Sequence, residues 1–202
     1  MGISKEIEWQ FEAVDLDSDI KAVCRAAEAA GLRLRPPKRI RLHDRFFDTP
    51  DWKFYRALAY LRIRTKGKTA EATIKTFGTI DPGPRVRTEL TEPLSGELHE
   101  LPGQVGECLR ALAGESPLRE IFSHSTTRQV IRASDGETEI AEIAIDHTVF
   151  ENTGNELKRI EIESLCDKSE KLDQFISELA SQFKPCGRSK FAEGLASKGL
   201  SP

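Results

Sequence analysis

The sequence has few of the features that mark membrane, secreted or nucleic-acid-binding proteins. No apolar run approaches the ~18 residues of a membrane-spanning helix, and the N-terminus has no signal-peptide core. The 30 basic residues are outnumbered by 33 acidic residues, and no basic tail is present. This balance argues against nonspecific binding to nucleic acid or to a membrane surface. We therefore expect a cytoplasmic protein with neither type of partner.

Cysteine is scarce and widely spaced. The four cysteines contain no Cys-x-x-Cys pair, so neither a zinc ribbon nor a small disulfide framework is predicted. The four histidines also lack the spacing of metal ligands. Neither a Ser/His/Asp triad nor a Walker phosphate loop is recognisable. Chemistry that depends on these groups is therefore not indicated.

The chain is long enough to form one domain with its own core. Its 202 residues are 38% hydrophobic and 31% charged, with too many regularly placed apolar residues for a disordered chain. We expect a single domain over residues 1–202, without a helical partner domain after about residue 198. No pattern indicates an oligomeric state.

Alternation of polar and apolar residues predicts a protein rich in strands. The predicted strands are residues 5–12, 38–48, 60–64, 69–77, 85–91, 126–133, 139–146 and 159–163. Helical spacing predicts one helix from the N-cap candidates at residues 17–19 to Gly31, and others over residues 169–183 and 191–195. Short helices are expected within residues 95–124, including 105–112 and 118–122, a turn or short helix at 52–59, and a loop at 78–84.

The polar faces of these strands are unusually rich in charge. For any single strand a solvated face is the simpler interpretation, and that alternative stays open. Across the set, however, Glu, Arg and Lys dominate, and acidic pairs recur at Glu6/Glu8 and Glu161/Glu163. Two like charges at i and i+2 share one face of a strand, so they repel each other unless a cation lies between them.

Together these faces predict a metal-containing polyphosphate site. The two Glu pairs, with Asp146 near them, offer the oxygen ligands that Mg²⁺ or Mn²⁺ prefers. Guanidinium groups match phosphate oxygens in pairs, whereas an ammonium group acts as a point charge. The candidate phosphate ligands are Arg62, Arg64, Lys75, Arg87 and Arg128. A barrel of about eight strands would enclose a lumen wide enough for one slender ligand.

An ordered set of motifs resembles the CYTH, or triphosphate tunnel metalloenzyme, superfamily, and within it the N-terminal domain of bacterial inorganic triphosphatases. The motifs are EIEWQF, FFDTPDWKFYRALAYLRIR, ATIK, RTELTEPL, TTRQVIRA, IAIDH, RIEIES and SKFAEGL. The resemblance extends from Glu6 to about Leu195. It implies an α+β fold, a closed antiparallel β-barrel of about eight strands with flanking helices, in which a tunnel holds a triphosphate.

The resemblance also implies roles for individual residues. The implied metal ligands are Glu6, Glu8, Asp146, Glu161 and Glu163. The implied substrate-binding residues are Gln10, Arg62, Arg64, Lys75, Arg87, Glu89, Arg128 and Lys190, and those expected to act most directly in catalysis are Glu6, Glu8, Lys75 and Arg87. Two positions depart from the family pattern, since Gln10 stands in place of the signature lysine and Thr91 where a Glu is common.

The implied activity is hydrolysis of inorganic triphosphate to diphosphate and phosphate with Mg²⁺ or Mn²⁺. Thiamine triphosphatase and class IV adenylate cyclase-like activity remain alternatives, since the tunnel of this family binds the phosphate chain that all of these substrates share. Gln10 and Thr91 favour a third alternative, a module that binds polyphosphate or a nucleotide without turnover. If the signature lysine mainly stabilises transition-state charge, its absence costs about 10² to 10³ in rate. On this hypothesis Gln10→Lys is expected to raise the rate.

Overall fold

The alternating segments form antiparallel strands that close on themselves. The computed structural model describes residues 4–78 and 83–202, so residues 79–82 of the predicted loop lie outside the described residues. The strands in the described part are β1 (Ser4–Glu12), β2 (Arg33–Leu34), β3 (Lys38–Asp48), β4 (Ala59–Lys66), β5 (Thr69–Thr76), β6 (Arg85–Pro93), β7 (Arg119–Asp135), β8 (Thr138–Phe150) and β9 (Glu156–Ser164).

Pairing of the first and last strands in the sheet closes the barrel. The order is β7-β3-β4-β5-β6-β1-β9-β8, and β8 then pairs with β7. The short strand β2 pairs with the end of β7. This eight-stranded antiparallel barrel with flanking helices confirms the predicted α+β class. Closure leaves no exposed sheet edge among the eight strands.

Most of the helices pack on the outside of the barrel, and the last one also reaches its interior. They are α1 (Leu16–Ala29), α2 (Lys53–Arg56), α3 (Gly103–Ala113), α4 (Glu170–Gln182) and α5 (Lys190–Ser197), with a 3₁₀ turn at Leu98–Glu100. Within the described residues, each helix is too short or too polar to cross a bilayer. Helix α1 is capped by Asp15, whose side chain accepts a hydrogen bond from Ser18 N at 2.9 Å. The cap therefore lies two residues before the predicted candidates.

One predicted helix is wrong. Residues 118–122 were expected to be helical, but β7 begins at Arg119 and runs for 17 residues. Its first part pairs with β3, where Phe122 is the register partner of Phe46 and their rings stack at a centroid distance of 4.5 Å. Long-range pairing with β3 therefore overrides the local apolar pattern. Strand β2 was not predicted, because two residues are too few to show alternation.

Most apolar residues of the strands point outward, toward the helices, whereas a third cluster that includes Phe46 and Phe191 lies on the inward side. One core cluster includes Phe11, Ile143 and Ile160 from the barrel and Val23 and Phe175 from α1 and α4. A second cluster packs α3 against β4 and β5. Each fully buried Leu, Ile or Phe stabilises the fold by about 1.5–3 kcal/mol. Since the side-chain period of a strand is two, packing the apolar residues outward directs the charged residues into the barrel.

Candidate functional site

The barrel encloses a cavity of about 270 Å³ with charged walls. Glu8, Lys75 and Arg87 are only 5–6% exposed. The alternative that these polar faces form a solvated surface is therefore wrong. The charged side chains lining the cavity are Glu6, Glu8, Asp44, Arg62, Arg64, Glu71, Lys75, Arg87, Glu89, Arg128, Glu142, Glu161, Glu163 and Lys190.

One wall joins the predicted carboxylates of β1 to the predicted cations of β5 and β6. Lys75 Nζ lies 2.9 Å from Glu6 Oε2 and 2.7 Å from Glu89 Oε2. Arg87 Nε lies 3.1 Å from Glu6 Oε2, and its Nη2 lies 2.9 Å from Glu8 Oε1. The register produces this arrangement, because Glu6 is opposite Arg87 and Lys75 is opposite Glu89.

The pKa values on this wall follow from burial and these contacts. Burial alone would raise the pKa of Glu6, but Lys75 and Arg87 outweigh it and the net pKa is lowered. In the same way burial is outweighed at Glu89, where Lys75 and Arg62 bring the pKa to about 2. Near neutral pH these groups are therefore charged and paired.

The opposite wall is built around Arg128. Its Nε and Nη2 donate to the two oxygens of Asp146 at 2.8 and 2.7 Å, and Nη2 also lies 2.7 Å from Glu161 Oε2. Lys190 contacts Asp146 and lies 2.9 Å from Glu161 Oε1. Asp146 is fully buried and, unlike Glu161, does not line the cavity. Burial opposes ionisation of Glu161, but Lys190 and Arg128 hold its pKa well below the usual range.

Helix α5 brings Lys190 to this wall. Ser189 caps the helix by accepting a hydrogen bond from Ala192 N at 3.1 Å. A Cβ at Gly194 would lie 2.1 Å from the ring of Phe122 on β7, so only glycine permits this approach of the helix. The sequence alone does not distinguish Lys190 from a solvated lysine, and the packing of α5 decides its position.

Arg62 and Arg64 complete the cationic lining. Arg64 forms a two-point contact with Asp44, with both N–O distances at 2.7 Å. Arg62 Nη2 donates to Thr73 Oγ1 at 3.3 Å, whereas the buried Arg62 Nε has no hydrogen-bond partner in the described residues. The predicted cations Arg62, Arg64, Lys75, Arg87, Arg128 and Lys190 therefore all face one cavity.

The sequence pattern did not identify Asp44 and His124 as residues of the site. Both line the cavity, and His124 Nε2 lies 3.8 Å from Asp44 Oδ2. Burial lowers the pKa of His124 to about 4, although Asp44 acts in the opposite direction. The alternation of β3 offered a signal, because Asp44 shares its buried face with Leu42 and Phe46.

A row of three carboxylates crosses β1, β9 and β8. Glu8 is the register partner of Glu163, and Glu163 is in turn the partner of Glu142, which the sequence pattern did not identify as a site residue. Burial, Glu6 and Glu142 raise the pKa of Glu163 to about 7. Burial and Glu161 raise the pKa of Glu8. Excess negative charge is therefore concentrated along this row.

These carboxylates do not converge on one point in the structure. No group of three or more His, Cys, Asp or Glu side chains in residues 4–78 and 83–202 is arranged to hold a metal ion. The carboxylates are kept apart by the cations that lie between them, because Arg87 and Arg128 each contact two carboxylates.

Gln10 and Thr91, the two departures from the family pattern, both make polar contacts. The Gln10 amide nitrogen contacts Glu8 Oε1 and lies 3.4 Å from Glu161 Oε1, while Gln10 Oε1 accepts a hydrogen bond from Arg159 Nη1 at 3.2 Å. Thr91 Oγ1 donates to Glu89 Oε1 at 2.8 Å. Arg159, which is buried beside Gln10, was not singled out from the sequence.

A wider vestibule adjoins the cavity. Its volume is about 900 Å³, and it shares Arg64, Glu71, Arg128 and Glu142 with the cavity walls. Apolar residues including Ile40, Leu42 and Val130 line part of it, together with the basic residues Arg35, Lys38, Lys66 and Arg132. The cavity thus adjoins a space that is both cationic and partly apolar.

Solved structures with low sequence identity share this fold. HpAC1 from Hippeastrum, a candidate adenylyl cyclase described as having a dominant triphosphatase activity, is 18% identical with a TM-score of 0.70, and the match covers 98% of this chain and 97% of that chain. A candidate adenylate cyclase from Bacillus halodurans is 22% identical with a TM-score of 0.63, covering 96% and 98% of the two chains. The PH1819 protein from Pyrococcus horikoshii OT3 is 19% identical with a TM-score of 0.56, covering 95% and 98%.

The sequence comparisons are more specific. No curated protein matches this sequence. The CYTH domain family, in contrast, matches residues 4–194, which is nearly the whole chain. This chain therefore belongs to the CYTH domain family.

Proposed function

We propose that this protein hydrolyses inorganic triphosphate to diphosphate and phosphate with Mg²⁺ or Mn²⁺. The observation that carries the proposal is the convergence of six cationic side chains on one enclosed cavity of about 270 Å³. An anion with charge spread along a short chain satisfies such a lining, and enclosure strengthens each contact because the effective dielectric constant is lower than in water.

The cationic side chains bind and orient the phosphate chain. Arg87 and Arg128 offer planar N–H pairs that match phosphate oxygens, while Lys75 and Lys190 supply point charges. Each already lies against a carboxylate, so it is held in place before the substrate arrives. Preorganised cations stabilise the dispersed charge of a loose phosphoryl-transfer transition state, which requires little covalent chemistry from the protein.

The donor chemistry of the two Glu pairs on β1 and β9 fits a divalent cation. Carboxylate oxygens are the ligands that Mg²⁺ and Mn²⁺ prefer, and burial together with the neighbouring carboxylates Glu6 and Glu142 raises the pKa of Glu163 to about 7. We assign Glu6, Glu8, Glu161 and Glu163 as the residues that would hold the cation. When bound, the cation supplies neutralisation of phosphate charge and orientation of the attacking water.

Asp146, the fifth predicted ligand, receives a different role in this proposal. Both of its oxygens contact Arg128, and Lys190 contacts it as well. We propose that Asp146 holds these two cations in the orientation that meets the phosphate chain. Glu89 does the same for Lys75, from which it is 2.7 Å away.

A substrate panel tests the proposed activity. Phosphate release from inorganic triphosphate, ATP and thiamine triphosphate is measured with Mg²⁺, with Mn²⁺ and with a chelator. We expect metal-dependent release that is fastest from inorganic triphosphate. Arg87→Met should weaken triphosphate binding and reduce turnover, whereas the exposed Arg25→Met serves as the charge-matched control. Absence of metal-dependent release from all three compounds would refute the proposal.

The vestibule favours a second candidate, an organic triphosphate. Its volume of about 900 Å³ leaves room for a bulky group beside the phosphate chain, next to apolar residues such as Ile40 and Val130. Faster release from ATP or thiamine triphosphate than from inorganic triphosphate would identify this candidate. Formation of cyclic AMP from ATP would identify cyclase activity.

The third candidate, binding without turnover, is favoured by Gln10 at the position of the signature lysine. Titration calorimetry with inorganic triphosphate separates it from the enzymatic candidates. Binding with background phosphate release in the panel would identify a binding module.

A further inference from the structure

Arg159 is a buried cation beside the cavity wall. It lies on β9 two residues before Glu161 and is 1% exposed. Within the described residues its one hydrogen bond to a side-chain oxygen runs from Nη1 to Gln10 Oε1 at 3.2 Å, and its Nε has no hydrogen-bond partner. A guanidinium group removed from water without a close carboxylate destabilises a fold unless its charge is used elsewhere.

Arg159 lies close to the cavity although it does not line it. It is two residues before Glu161 on β9, so the two side chains share the face of the strand that is directed into the barrel.

The hydrogen bond to Arg159 also orients Gln10. Because Oε1 accepts from the guanidinium group, the amide nitrogen must point the other way, toward Glu8 and Glu161. An amide that accepts a charged hydrogen bond becomes a stronger donor at its N–H groups. Gln10 therefore presents a polarised, fixed donor to the cavity.

We infer that Arg159, acting through Gln10, supplies the positive charge that a lysine at position 10 would supply, and is a positioning residue for the phosphate chain. This inference rests on the proposed function, since the Gln10 N–H groups would pass from Glu8 and Glu161 to the phosphate chain when those carboxylates hold the cation. In this protein the positive charge is on β9 instead of on the adjacent strand β1. Gln10, which accepts a hydrogen bond from Arg159, transmits the polarising effect of that charge to the cavity.

The inference reverses the expected effect of restoring the signature lysine. In the wild-type background, Gln10→Lys places an ammonium group next to the buried guanidinium of Arg159, and the two like charges repel. The same substitution in an Arg159→Met background meets no such cation. It then provides one positive charge where the wild-type protein also has one. The two substitutions should therefore compensate for each other.

The test is a double-mutant cycle of wild type, Gln10→Lys, Arg159→Met and the double variant. For each protein we measure the melting temperature, the affinity for inorganic triphosphate by calorimetry with Mg²⁺, and kcat and KM. Each single variant is expected to bind triphosphate at least about tenfold more weakly, and the double variant to return to within about threefold of wild type. Arg25→Met is the control for loss of an exposed positive charge.

Two further variants separate charge from shape. Arg159→Lys keeps the positive charge and should retain an affinity for triphosphate within about tenfold of wild type. Gln10→Met removes the amide that joins Arg159 to the cavity, so this variant should bind triphosphate more weakly. If Arg159→Met does not yield folded protein, the comparison of Gln10→Lys with Gln10→Met decides. The inference requires a lower melting temperature for Gln10→Lys, because only that variant adds a second buried cation.

Tighter binding or faster turnover by Gln10→Lys in the wild-type background would overturn the inference. The inference would also be overturned if the losses of triphosphate affinity in the two single variants added up in the double variant. If every protein binds triphosphate but none hydrolyses it, the proposed activity fails, while compensation in affinity and melting temperature still tests Arg159.

Discussion

The side-chain nitrogen of Lys75 lies 2.9 Å from Oε2 of Glu6, joining a proposed phosphate ligand directly to a proposed metal ligand. Both groups are buried, so each neutralises the other in the absence of substrate. A phosphate chain and a divalent cation would replace this contact with two new ones. The same carboxylate therefore competes with phosphate for Lys75 when no metal is bound.

Glu6→Gln should separate triphosphate binding from turnover. We expect metal-dependent turnover to fall about 10² to 10³-fold through loss of a metal ligand, comparable with loss of other electrostatic groups. Metal-free affinity for triphosphate should rise about tenfold, because Lys75 and Arg87 lose a competing negative charge. Calorimetry in chelator and steady-state kinetics measure the two effects. Glu12→Gln, at the exposed end of the same strand, is the control. Weaker metal-free binding by Glu6→Gln would contradict this account.

Arg128→Lys should show whether the two-point geometry matters beyond charge. The substitution keeps one positive charge but loses the planar fork that now holds Asp146 at 2.8 and 2.7 Å. We expect KM for triphosphate to rise about tenfold, because a lysine does not reproduce paired hydrogen bonds. The matched control is Arg25→Lys on the exposed face of α1. An unchanged KM would show that Arg128 acts by charge alone.

His124→Phe should reduce sensitivity to acid. The pKa of His124 is lowered to about 4 by burial, against about 6.5 in an unfolded chain. Between these values the unfolded state binds a proton that the folded state does not, so stability falls as pH decreases from about 6.5 to about 4. At pH 5 this loss amounts to about 2 kcal/mol relative to pH 8.

Melting temperatures measured from pH 8 to pH 5 check the effect of His124. The variant should lose about 5 °C less than wild type over this range. Phenylalanine also suits the aromatic surroundings, since Phe46 and Phe150 each lie 5.5 Å from the His124 ring by centroid distance. His99→Phe, at a side chain that is 74% exposed, should follow the wild-type profile. Parallel profiles for wild type and His124→Phe would exclude this histidine as a source of acid sensitivity.

Asp48→Ala should lower stability without altering the chemistry of the site. The buried carboxylate accepts backbone hydrogen bonds from Thr49, Phe54 and Tyr55 at 2.7, 3.0 and 3.0 Å. Removing it leaves three backbone donors without a partner, so the free energy of unfolding should fall by about 3 kcal/mol. Denaturant unfolding measures this loss, with the exposed Asp51→Ala as control. A changed kcat at a temperature where the variant is folded would be inconsistent with a structural role.

Local sequence pattern predicted most of the strands and the inward-facing charges. Strand β3 has the predicted bounds, and the helices α4 and α5 lie within one or two residues of the predicted ranges. Alternation also identified Glu6, Glu8, Lys75 and Arg87 as side chains of one interior, because successive residues of a strand point to opposite faces. The helical prediction at residues 118–122 failed because the partner strand β3 is more than seventy residues earlier in the chain.

The site residues that the sequence did not predict were not recognisable for a second reason. Asp44, Glu142 and Arg159 each lie on a predicted strand, but their roles depend on which residue lies opposite in the neighbouring strand. That register is set by long-range pairing and by closure of β8 onto β7. The alternation in the sequence by itself determined which side chains share a face of each strand, since the period of two is a local property of an extended chain. The tertiary structure alone decided that the charged faces are enclosed, because β8 closes onto β7, and which charges meet, because cross-strand contacts such as Arg159 with Gln10 depend on the register of separate strands.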